Sequence, residues 1–128
     1  MQLAAAAAES TRALPSDAAE AHRINAWLGE WSRDEMAAML KLIDALSSQP
    51  PDRIVWASAS ETDLMLLLSD DVRGRAFANV RAQGPWYFIE CAMAKNSAPW
   101  PEAWVKGHTC DLQKACGMIV SGWRWSQE

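Results

Sequence analysis

Eight tryptophans, at positions 27, 31, 56, 86, 100, 104, 123 and 125, have to be housed by a chain of 128 residues. Trp is bulky, is seldom fully buried, and carries an N–H that needs a partner. A chain of this length reads as one domain and can bury a real core without a metal or a disulfide. Its interior is nevertheless too small to hide all eight rings. One reading is an aromatic core with a few exposed edges. The sharper reading is that two or three form a contact surface, because Trp is enriched among the residues that carry binding energy.

Charge narrows what such a surface could meet. Twelve Lys and Arg against sixteen Asp and Glu leave a net charge of −4. Sequence-independent binding to nucleic acid needs a basic footprint, which this balance does not supply. An acidic protein suits a partner with a basic surface. The start, MQLAAAAAES, has an alanine run but no basic stretch before it, so no secretory signal is read. No apolar run reaches the length of a membrane span. The three cysteines are therefore expected to be reduced thiols in a cytoplasmic protein.

Along the chain, residues 1–15 form an alanine-rich N-terminal segment, expected to be a mobile tail or a frayed helix. Residues 16–128 are read as a single globular domain. Ser16 caps a helix expected over 17–31, with Ala21, Ile24, Leu28 and Trp31 on one face. WSRDEM is a capping box: Ser32 can accept from the amide of Glu35, and Glu35 can reach back to Ser32. Trp31 and Met36 are spaced for a hydrophobic staple. The helix that follows carries Met36, Met39, Leu40, Ile43 and Leu46 on its apolar face and ends before Pro50 and Pro51. The two helices are expected to form an antiparallel hairpin.

RIVWAS is short and β-branched and predicts a strand. SASETDLMLLLSDD predicts a further helix, capped by Ser58 and Glu61 and turning Leu64, Leu67, Leu68 and Val72 inward, with Phe77 and Val80 continuing the face. Beyond Gly84 two periods compete. PWYFIECAMAK favours a strand, yet Pro85 after Gly84 suits a helix start. Leu112, Cys116, Ile119 and Trp123 lie at helical spacing, while Trp123 and Trp125 alternate as in a strand. The fold class expected is mainly α (α+β in the alternative), a small single-domain helical fold opening with the hairpin, with a short β element from 86–93 and 118–125.

Catalytic constellations find little support. Cys91, His108, Cys110 and Cys116 have the side chains zinc prefers, but Cys91 has no near partner at metal-ligand spacing. No metal and no cofactor is expected, and a zinc-stabilised module is the weakest alternative. There is no G-x-S-x-G elbow and no glycine-rich phosphate loop. The chain is read as a non-enzyme. PWPEAW instead reads as a rigid helical turn, with Pro101 first and Gly107 past its end. Rigid aromatic surface loses little entropy on binding. The partner-binding residues expected are Trp100, Glu102 and Trp104, joined by the acidic pair Asp70 and Asp71. The function expected is a small acidic protein-binding module that acts by stoichiometric contact, as an inhibitor, immunity or adaptor protein does. The alternative is a helical transcriptional regulator that meets DNA through Arg73, Arg75 and Arg81.

Overall fold

Side chains that alternate between buried and exposed at a period of two organise the middle of the chain. The computed structural model describes residues 1–5, 32–50, 52–60, 63–69 and 76–127. Their strands are β1 (Gln2–Ala5), β2 (Ile54–Ser60), β3 (Asp63–Leu67), β4 (Ala76–Gln83), β5 (Trp86–Ala92) and β6 (Trp104–Thr109). Their helices are α1 (Arg33–Ser47) and α2 (Leu112–Ser126). The strands form one sheet in the order β1-β2-β3-β4-β5-β6. β1 is parallel to β2, and every later pair is antiparallel.

Each strand turns one set of side chains toward the helices. Val55 and Ala57, Leu64 and Leu66, Ala78, Val80 and Ala82, and Tyr87, Ile89 and Cys91 are all buried. Met36, Met39, Leu42 and Leu46 of α1 meet them, as do Ala115, Cys116, Ile119 and Val120 of α2, in one cluster with Met1 and Leu3. The result is two layers, a mixed sheet with both helices on one face. A register shift between Leu66 and Leu67 interrupts the alternation, so that Ala76, Phe77 and Ala78 are buried in succession and Phe77 joins the main core.

Local chemistry sets the turns and caps. Gln83 pairs with Trp86, which leaves Gly84 and Pro85 as a two-residue hairpin loop. Gly84 has φ +58°, the left-handed first position that a type II′ turn demands. Ser32 caps α1 by accepting from the Glu35 amide at 3.2 Å. Asp111 caps α2 by accepting from the Gln113 and Lys114 amides at 2.9 and 3.1 Å.

Two contacts tie the layers together. The Tyr87 hydroxyl donates to the Ala38 carbonyl of α1 at 2.7 Å. Gly122 of α2 lies so close to β5 that a Cβ placed there would stand 2.6 Å from Cys91 Sγ and 2.9 Å from Cys91 Cβ. A thiol packed this way is poorly hydrated, and burial pushes the Cys91 pKa up to about 11.

The expected fold class is therefore corrected: the chain is a sheet-rich α+β protein, neither mainly α nor a helical hairpin fold. The expected helix over 17–31 lies outside the described residues. The second helix of the supposed hairpin, α1, packs on β1, β4 and α2. The helix expected through DLMLLL is β3, and Phe77 and Val80 sit on β4. Short apolar runs fit a buried strand as well as a helix, and pairing with β2 and β4 decides in favour of the strand. Residues 86–92 are the strand β5, but they pair with β4 and β6, and 118–125 is helical. RIVWAS falls largely in β2. Of the alanine-rich 1–15 segment, Gln2–Ala5 are in the sheet as β1, with Met1 and Leu3 buried in the core. Among the described residues no helix is long and apolar enough to cross a membrane.

The approach at Gly122 generates a stability test. Gly122→Ala is expected to overpack the α2–β5 contact and cost about 1–3 kcal/mol in urea denaturation. Cys91→Ala in the same chain removes the sulfur and should recover part of that loss, a coupling that a double-mutant cycle reads directly.

Candidate functional site

The side of the sheet that faces away from α1 and α2 carries the alternate set of side chains. On β5 these are Trp86, Phe88 and Glu90, and on β6 they are Trp104, Lys106 and His108. Phe88 and His108 lie directly opposite each other in the β5–β6 register. Their rings stack at a centroid separation of 5.6 Å with 29° between planes. Trp86 meets the same imidazole edge-on at 5.2 Å and 70°. Trp86, at the start of β5, and Phe88 remain 40% and 38% exposed.

Ion pairs frame this aromatic group. Arg81 Nε lies 3.0 Å from Asp63 Oδ1, across the β3–β4 pair. Lys106 Nζ lies 3.5 Å from Glu90 Oε1, across the β5–β6 pair. Exposed cross-strand pairs of this kind add little stability, but they hold charged groups in defined positions around the rings. Asn79 lies between them on β4, and its Oδ1 is buried without a hydrogen-bond partner among the described residues. Exposed aromatic rings beside positioned charges have the composition of a protein-contact patch.

The stretch singled out from the sequence lies at one end of this face. Trp100–Ala103 is a tight turn rather than the expected helical turn, closed by the Ala103 amide donating to the Trp100 carbonyl at 3.3 Å. Pro101 supplies its second position. Glu102 holds φ +65°, a left-handed conformation usually given to glycine. Trp100 is 65% exposed on the turn, while Trp104 is half-buried on β6. The two rings thus belong to different elements and do not share a helical face. Asp70 and Asp71 lie outside the described residues, as do Arg73 and Arg75, and Arg81 is engaged by Asp63.

The four zinc-type side chains are not brought together. Cys91 and Cys116 lie buried in the core between the sheet and α2. His108 is on the opposite side of the sheet, against Phe88 and Trp86. Among the described residues no group of three or more His, Cys, Asp or Glu is placed to hold a metal ion. Cys110 is the exposed thiol, beside Trp86, Asp34 and Lys41 on a hollow of about 520 Å³.

Sequence reasoning missed the group of Trp86, Phe88 and His108. The period-two pattern of PWYFIECA carries half of the signal, since Trp86 and Phe88 alternate with Tyr87, Ile89 and Cys91. The register that sets His108 opposite Phe88 has no local signature.

Two measurements follow from this geometry. Iodoacetamide at mildly alkaline pH is expected to label Cys110 alone in the folded chain and all three thiols in denaturant, because burial pushes the Cys91 and Cys116 pKa values up. Trp100→Ala is expected to shift the unfolding free energy by no more than about 0.5 kcal/mol, as for other exposed positions.

No protein-family model matches the chain, and neither the curated proteins nor the solved structures searched contain a match to it.

Proposed function

We propose that this chain is a small protein-binding module that acts by stoichiometric contact, in the manner of an inhibitor, immunity or adaptor protein. The contact surface in this reading is the sheet face away from the helices. The observation that carries it is the exposed group of Trp86, Phe88 and His108, framed by the Arg81–Asp63 and Lys106–Glu90 pairs. Rings held by a sheet lose little freedom on binding, and rim charges set orientation and exclude wrong partners. The turn with Trp100 and Glu102 and the half-buried Trp104 border this face and extend the contact. A net charge of −4 draws the chain toward a partner with a basic surface. No enzymatic step and no cofactor enter this reading. The compartment that fits is the cytoplasm, where Cys91, Cys110 and Cys116 would stay reduced.

The test compares the parent chain with a Trp86→Ser, Phe88→Ser double variant as bait in cell lysate. The parent is expected to retain a protein at fixed stoichiometry. The variant is expected to lose it while keeping its denaturation midpoint, since truncating a hot-spot aromatic costs about 2 kcal/mol of binding or more. Equal retention by a folded variant would show that this face is not the contact surface.

A further inference from the structure

The edge of the sheet next to the aromatic group is the strand β6, whose backbone groups alternate in direction. Among the described residues β6 has a neighbouring strand on one side only. The Met93 amide donates to the Ala103 carbonyl at 3.0 Å, so this pair is a hydrogen-bonded one. Bonded pairs recur every second residue in an antiparallel ladder. Cys91–Val105, Ile89–Gly107 and Tyr87–Thr109 are then the bonded pairs of the β5–β6 register. The N–H and C=O groups of Val105, Gly107 and Thr109 turn toward β5. Those of Lys106 and His108 turn outward, away from the sheet.

Beneath this edge, on the helix side, runs a shallow apolar groove. Two hollows of about 160 and 230 Å³ share Val105 and Trp125, with Met118 closing one and Met93 the other. Val105 is 39% exposed there although it pairs with the buried Cys91. Gly107 is part of the same floor, where a Cβ would stand 2.5 Å from Met118 Cε. A strand laid along β6 would send alternate side chains into this groove and the others to the outer face beside Lys106 and His108.

The charges on β6 say which strand fits. A second copy of β6, paired antiparallel in the register centred on Lys106, would bring Lys106 opposite Lys106 of that copy. Like charges directly opposite each other destabilise a strand pair, and a lysine on an edge strand is a known guard against self-association. The Lys106 side chain is 73% exposed and meets Glu90 at 3.5 Å, which leaves it room for a second carboxylate. The net acidity of the chain acts at long range on the whole partner, whereas Lys106 acts on the residue directly across from it.

We propose that β6 takes an extended segment of the partner protein as an added strand, apolar at alternate positions toward Val105 and Trp125 and acidic at the positions facing Lys106. This proposal rests on the reading of the chain as a protein-binding module, and it names how the partner is held.

The probes are two synthetic peptides, one alternating valine with glutamate and one alternating valine with lysine, added to the full chain. Amide hydrogen exchange at Lys106 and His108 is the readout. In the free chain both amides are expected to exchange freely while those of Val105, Gly107 and Thr109 are protected. The valine–glutamate peptide is expected to slow exchange at Lys106 and His108 by about tenfold or more, and the valine–lysine peptide is not. Lys106→Pro removes one outward N–H at a position where an edge strand tolerates proline, so it should abolish the effect at His108 with the denaturation midpoint unchanged. Lys106→Glu provides a second check that keeps the backbone intact, and it should transfer the protection to the valine–lysine peptide. The proposal is overturned if these amides are already protected in the free chain, if neither peptide protects them at millimolar concentration, or if both peptides protect them equally. It is also overturned if a captured partner is lost by the Trp86 and Phe88 variant but retained by folded Lys106→Pro, an outcome that leaves the contact reading standing.

Discussion

The approach of α2 to the sheet at Gly122 and Cys91 is the constraint on which the rest of the structure depends. A glycine is needed because the sulfur and Cβ of Cys91 occupy the space a side chain would take. With α2 this close, Cys116 and Ile119 pack against the inner side of β4, β5 and β6, and water is excluded from the middle of the sheet. The Tyr87 hydroxyl then fastens α1 to the same surface through the Ala38 carbonyl. A buried phenol without that acceptor would carry an unmade hydrogen bond, so the placement of α1 and the burial of Tyr87 support each other.

Covering one face of the sheet has a consequence for the other. Alternation along β5 sends Tyr87, Ile89 and Cys91 inward and therefore sends Trp86, Phe88 and Glu90 outward. The outward set is not the ordinary polar complement of a half-buried strand. It holds two large rings, Phe88 stacked with an imidazole from β6 and Trp86 edge-on to it, beside two cross-strand ion pairs. None of the six described tryptophans is fully buried. That agrees with the volume argument that a core of this size cannot hide eight such rings.

The parts of the structure legible in the sequence were those governed by near neighbours. Ser32 and Glu35 marked the start of α1, and the apolar spacing of Met36, Met39 and Leu46 marked its buried face. Leu112, Cys116 and Ile119 lie at helical spacing, but the alternation of Trp123 and Trp125 left α2 open between helix and strand. The run DLMLLL was misread as helix because its apolar residues are contiguous, and a contiguous run has no period. Trp100 and Glu102 were legible as a turn from their prolines, but its geometry was not. A left-handed glutamate is not foreseeable from residue type, since glycine is the usual occupant of that position.

The sequence by itself determined the Ser32 cap and apolar face of α1, the β-branched run of β2 and the excess of tryptophan over available interior. Each depends on spacings of a few residues or on composition, where propensity and side-chain periodicity act directly. Only the tertiary structure decided that DLMLLL and the segment around Phe77 are strands, that β1 pairs with β2 in parallel, and that His108 comes to rest between Phe88 and Trp86. These depend on register between segments far apart in the chain. A shift of one residue in that register would send every ring to the opposite face, and no local pattern encodes which register buries the most apolar surface.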